Sequence, residues 1–178
     1  MSAVAYTLAL FILATALATA LFRDVLSAIV VFGAYSLGMA ILYVVLLAPD
    51  VAMTEAAISA GVTTLLLLLT IARTARPSTD EVFERVDLPA VAVVGTFVLV
   101  LMTQVLPATE AVGDSDAPAW AGDATQYYID NTVADTGVAN AVTAVLAAYR
   151  GFDTFGEAVV VFAAGIAVLL VLKREVFT

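Results

Sequence analysis

Apolar runs of about twenty residues, each closed by a polar break, recur along this chain. Ala3–Phe22 stops at Arg23-Asp24, Val25–Leu47 stops at Pro49-Asp50, and Val51–Ala72 stops at Arg73. Leu88–Leu106 and Thr154–Leu172 are two more. About 20 apolar residues cross the hydrocarbon core of a bilayer, so each run predicts a membrane-spanning helix. The first two breaks leave room only for turns, so the first three helices form a tight up-down-up array. The fold class predicted is an all-α polytopic membrane protein with five spans.

The connections are less uniform. The segment "RPSTDEVFERVDLP" places Ser78 and Glu81 at capping-box spacing, which predicts a short surface helix. Pro107–Asp153 is long and carries Glu110, Asp114, Asp116, Asp123, Asp130 and Asp135. Within it, Val138, Val142, Val145, Leu146 and Tyr149 recur at helical spacing over "VANAVTAVLAAY". That run is too short to span and predicts a helix lying at the membrane interface before the fifth span. The chain thus divides into a three-helix membrane module at 1–76, a short loop at 77–87 and a fourth span at 88–106. An acidic loop with an interfacial segment at 107–152 and a last span at 153–178 complete it.

Basic residues orient the array. With the N-terminus outside, Arg23, Arg73, Arg76, Arg85, Lys173 and Arg174 fall on the cytoplasmic side and only Arg150 falls outside. The expectation is N-out and C-in. The opening "MSAVAYTLALFILATALATALFRD" lacks a basic stretch ahead of its apolar run, which predicts a retained helix and no cleaved signal.

Composition sharpens this. The chain has 178 residues, 63% of them apolar, against about half in soluble domains. Cysteine and histidine are both absent. Disulfides, His or Cys ligation of haem or zinc, and a His-based catalytic triad are therefore excluded, and no cofactor is expected. The net charge of −9 argues against nucleic acid as a partner, which needs a basic footprint. Acids crowding the loops suit the salt-exposed surface of a halophile.

Within "APDVAMTEAAISAGVTTLLLLLTIA" the third span carries Glu55. A charged side chain at the bilayer centre costs about 2.5–3.5 kcal/mol on insertion scales. Glu55 lies in the outer half, roughly 7–8 Å from Asp50, so the cost is smaller but still needs a reason. At about 100° per residue, Glu55, Ser59, Thr63 and Thr70 fall within roughly 80° of one another, a polar stripe along one helix. Ala52, Ala56, Ala57, Ala60 and Gly61 let another helix approach closely. An acid whose charged form is disfavoured by its surroundings exchanges a proton nearer neutral pH than a surface acid does. The stripe fits proton handling or the solvation of a hard cation such as sodium. It fits equally a structural Glu paired across a subunit boundary or favoured by its own helix dipole.

A second acid, Glu157, opens the last span in "YRGFDTFGEAVVVFAAG". Thr154 and Glu157 have capping-box spacing, and Arg150 and Asp153 have the spacing of a local ion pair. A cap and a relay are compatible, since a capping carboxylate still titrates.

Two stretches carry a resemblance. "LLAPDVAMTEAAISAGVTTLLLLLTIART" resembles the membrane domain shared by the C-terminal part of MrpA and the MbhD subunit of membrane-bound hydrogenase. "YRGFDTFGEAVVVFAAGIAVLLVLKR" resembles the adjoining MrpA extension and the MbhE subunit, and is partly shared with MrpB-type subunits. Together they leave the acidic loop outside the resemblance. The likeness implies a small subunit of a multisubunit Mrp-type cation/proton antiporter in the plasma membrane, related to the NuoJ subunit of the complex I membrane arm. It further implies a π-bulge in the third helix, and an ion or proton path to which Glu55 and Glu157 correspond. Three departures stand out. The large antiporter-like domain that begins MrpA is expected on a separate chain, the MbhD-like and MbhE-like parts are fused, and the acid that often precedes the aromatic-Arg pair is Ala148.

Three functions follow for comparison. In the first, a non-catalytic subunit of a sodium/proton antiporter uses Glu55 as relay, Ser59 and Thr63 to move water or cation, Asp50 at the outer mouth and Glu157 on the last helix. In the second, the same module couples ion movement to a peripheral redox complex of the hydrogenase type. In the third it is a structural scaffold. In none is the chain itself an enzyme.

Overall fold

The computed structural model describes residues 3–74 and 81–172. Arg76, Lys173, Arg174 and the Ser78 end of the capping box lie outside the described residues. The chain forms two compact units, Met1–Thr96 and Phe97–Thr178.

Among the described residues five helices are long and apolar enough to cross a membrane, as the apolar runs predict. In the first unit α1 spans Ala3–Leu21 and α2 spans Val25–Val45. Asp24 caps α2, its carboxylate accepting from the Ser27 backbone N–H at 2.9 Å and the Ser27 hydroxyl at 2.8 Å. The tight connection after α2 bends at Leu47, whose φ of 61° is left-handed, and the Ala48 N–H closes it onto the Tyr43 carbonyl at 2.9 Å. Pro49, with no N–H to lose, then starts α3, Pro49–Arg73. Its middle, Ala56–Thr63, is a π-helix, so the bulge that the resemblance implies is present.

α2 packs against both α1 and α3. Its small residues permit this. Buried Gly38 lies against Phe11 and Ile12 of α1, and Gly33 lies against Thr64 of α3. Where the chain returns at residue 81 it docks beside the α1–α2 turn. Phe22 and Phe83 form an isolated antiparallel bridge, with Arg23 N–H donating to the Val82 carbonyl at 3.1 Å and Glu84 N–H to the Leu21 carbonyl at 2.7 Å. Their rings stack at 5.6 Å, and Arg23 pairs with Glu81 and, at 3.9 Å, with Glu84.

α4, Leu88–Ala108, runs across the boundary between the units, ending in a π turn at Leu101–Val105 and a 3₁₀ turn at Leu106–Ala108. Every residue of α4 is exposed. In the second unit, α5 is the single turn Pro118–Ala121 and α6 is Asp123–Thr136. α6 was not predicted: its apolar residues are few and scattered among Asp123, Asp130 and Asp135, so it reads as polar loop. It ends at Gly137, whose φ of 72° suits glycine. The segment predicted as a short helix is helical: α7 is an α-helical turn over Ala141–Ala144 capped by Asn140, followed by a π turn over Val145–Tyr149. α8, Gly151–Leu172, is the last span.

Candidate functional site

Glu55 is half-buried in α3 at the start of the π segment. It lies six residues past Pro49, about 9 Å along the helix at 1.5 Å per residue. The Ser59 hydroxyl donates to its Oε2 at 3.1 Å, so the structure brings these two predicted residues together. Thr64 hydroxyl donates to the Ser59 carbonyl at 3.2 Å, five residues back. Ser59 therefore makes two separate bonds, its hydroxyl donating to Glu55 and its backbone carbonyl accepting from Thr64.

This corrects the stripe expected at an even 100° per residue. A π-helix bonds at i to i+5, so the residue seated over Ser59 is Thr64, one later than an α-helix would place it. Thr63 is half-buried beside it, and Thr70 is exposed, its hydroxyl donating to the Leu66 carbonyl at 2.8 Å. Thr64 in turn rests on Gly33, where a Cβ would come within 3.2 Å of its Oγ1. Asp50 is half-buried in the first turn of α3, where the helix dipole favours an anion.

Ser36 of α2 was also missed. It is 1% exposed, and its hydroxyl has no hydrogen-bond partner. The signal lay in "GAYSLGMA", where Gly33, Ser36 and Ala40 recur on one helix face. An apolar groove of about 280 Å³, lined by Ala40, Val44, Pro49, Ala52, Met53 and Ala56 among others, runs along α2 and α3 above this level.

In the second unit Arg150 and Asp153 form the predicted ion pair, with Nε 2.6 Å and Nη2 2.5 Å from Oδ2. The capping box at Thr154 and Glu157 is not formed. α8 begins three residues earlier, at Gly151, and the Thr154 hydroxyl donates to the Leu146 carbonyl at 2.7 Å. Glu157 is exposed on α8. Tyr149, which opens the same motif, donates to Asp135 Oδ2 at 2.8 Å, and Tyr127 donates to that oxygen at 3.2 Å. The rings of Tyr128 and Tyr149 meet at 4.8 Å. Burial, then the Asp135 bond, pushes the Tyr149 phenol up to about 12, and the Asp135 bond first raises that of Tyr127. Asp135 thus brings a carboxylate from α6 onto the phenol of Tyr149 in the motif. Nothing in local spacing links residues 14 apart, which is why this cluster was not foreseen.

Two family models match the chain, both describing components of MBH: MbhD over residues 10–76 and MbhE over residues 117–176. The chain joins an MbhD-family domain to an MbhE-family domain. The MbhD match contains Glu55, Ser59, Thr64, Gly33 and Ser36. The MbhE match contains the tyrosine cluster and α8, so it reaches back into the acidic loop that the resemblance seemed to leave out. Over 151 residues the chain is 30% identical to the A subunit of the Na(+)/H(+) antiporter of Alkalihalophilus pseudofirmus, covering 83% of this chain. It spans only 18% of that relative. Over 76 residues it is 40% identical to an uncharacterized protein of Methanocaldococcus jannaschii, covering 43% of this chain and 96% of that protein. The likeness to the C-terminal region of MrpA is thereby borne out.

Proposed function

We propose that this MbhD–MbhE chain is a non-catalytic subunit of an Mrp-type sodium/proton antiporter complex in the plasma membrane, and that Glu55 is its proton relay. The observation that carries the reading is a half-buried carboxylate inside a span, hydrogen-bonded by Ser59 where a π segment begins. π segments often mark functional sites because they break the regular backbone ladder. The similarity to the A subunit of an antiporter supports the same conclusion. Asp50 supplies the outer mouth, Ser59 and Thr63 assist water or cation, and Glu157 continues the path on α8. With the N-terminus outside, the acidic connection faces a salt-rich exterior. One carboxylate cannot alternate access, so the other Mrp-type subunits, a large antiporter-like one included, provide the moving parts.

The test is Glu55→Gln in membrane vesicles. Sodium/proton exchange is lost while the subunits still co-purify; normal exchange by an assembled variant overturns the assignment. A second reading, a membrane component of a hydrogenase-type complex, is favoured by both matching families being named for parts of MBH. Iron–sulfur proteins co-purifying from native membranes would establish that reading instead, since this chain has no Cys or His to hold a redox centre.

A further inference from the structure

Seven threonines on the helices of this chain share one habit. Thr7, Thr15, Thr19, Thr54, Thr70, Thr96 and Thr103 each donate to the carbonyl four residues back, at 2.7 to 2.9 Å. Ser36 does not: its Oγ is without a partner although only 1% of the residue is exposed. That burial is produced by this chain alone, so a neighbouring subunit could only deepen it. The missing partner must fit inside the packing of the first unit.

The position of Ser36 says where. Gly33, three residues before it on the same α2 face, lies against Thr64. Ala40, four residues after it, lines a groove with Ala52 and Ala56. Ser36 is therefore level with the π segment Ala56–Thr63, where the Ser59 hydroxyl donates to Glu55 and the Ser59 carbonyl accepts from Thr64. Gly33, Ala40 and Ala56 along this face are all small, so little side-chain bulk separates Ser36 from the backbone of the π segment. A buried water occupies a polar gap of this kind when it has two to four partners. A carbonyl has two lone pairs, so Ser59 can accept from a water as well as from Thr64.

We propose that Ser36 holds a buried water between α2 and the π segment of α3, joining α2 to Ser59, the residue whose hydroxyl bonds Glu55. Ser36 is then a positioning residue for Glu55, and this role rests on the relay reading above. The water itself does not.

The test uses the intact complex. A high-resolution density map shows a water at about 2.7–3.2 Å from Ser36 Oγ and from a polar atom of residues 56–63. A Ser36 hydroxyl turned onto the Phe32 carbonyl, with no such density, overturns the site. Infrared difference spectra taken in ordinary and ¹⁸O-labelled water provide the second measurement. An isotope-sensitive water band is lost in Ser36→Ala, and the carboxyl band removed by Glu55→Gln moves in frequency; both bands unchanged in an assembled Ser36→Ala complex also overturns the proposal. If Glu55→Gln leaves exchange intact while the water is present, the relay reading falls and the site stands. If exchange is lost and no water is found, the site alone falls.

Discussion

A methyl group added at Gly38 tests a close helix contact in the first unit. An ideal Cβ there would lie 3.0 Å from both Cδ1 and Cε1 of Phe11 and 3.2 Å from Cγ1 of Ile12. Carbon pairs are best separated by about 3.5–4.0 Å, so the ring would have to retreat by about half an ångström or more. Overpacking of this kind costs about 1–3 kcal/mol. The higher helix propensity of alanine offsets about 1 kcal/mol of it. Gly38→Ala should therefore destabilise by about 1 kcal/mol, near a fivefold fall in the folded-to-unfolded ratio. The assay is SDS-driven unfolding of the purified protein in mixed micelles, followed by far-ultraviolet circular dichroism. Repeating Gly38→Ala in a Phe11→Ala background should remove about 0.5 kcal/mol or more of the loss, the signature of two groups in contact. Gly95 is the control: nothing lies within 4 Å of its Cβ position, so Gly95→Ala should be neutral or slightly stabilising. Equal behaviour of the two alanine variants, or a Gly38 effect indifferent to the Phe11 ring, would refute the close approach of α1 and α2.

Two further outcomes accompany the Glu55 and Ser36 tests. Because Tyr149 is held at about 12 against an ordinary 10, the folded chain keeps a proton that the unfolded chain loses between those values. Its stabilisation is complete below pH 10 and is lost as pH rises towards 12. In a tyrosinate absorbance titration, Tyr149→Phe should delete the latest step and Asp135→Asn should move it earlier; an unmoved curve in both would refute the shared carboxylate. Arg23→Gln removes the ion pairs to Glu81 and Glu84, but these side chains are 39% exposed or more, so the loss should stay below about 1 kcal/mol and shrink with added salt. A larger loss that ignores salt would show that the clasp is a buried pair.

The spans were legible because each is long enough to match the bilayer's hydrocarbon core and ends at charge or proline, which leaves few alternatives. Glu55 was legible for the same reason, as an acid where lipid tolerates none. What escaped the sequence depends on backbone phase and distance. The switch from i+4 to i+5 bonding at Ala56 carries no residue signature, so Thr63 was expected where Thr64 stands. Ser36 is a small residue among small residues, and only packing shows that its hydroxyl is enclosed. Asp135 reaches Tyr149 through a turn at Gly137, and α6 was hidden because its helical face is polar. Thr154 was expected to cap a helix that in fact starts at Gly151, a position glycine gives little reason to choose.

No residue of α4, and none described along α8, is buried. In water two such helices would drive aggregation, but lipid tails are as apolar as leucine and impose no comparable penalty. In the assembly proposed above, a newly made copy can thus wait in the bilayer, fully inserted, until its neighbours arrive. What then recruits them is steric fit and matched polar groups, since greasiness no longer discriminates. Purification reverses the order of risk: stripping lipid before those neighbours are secured leaves both helices dependent on the micelle.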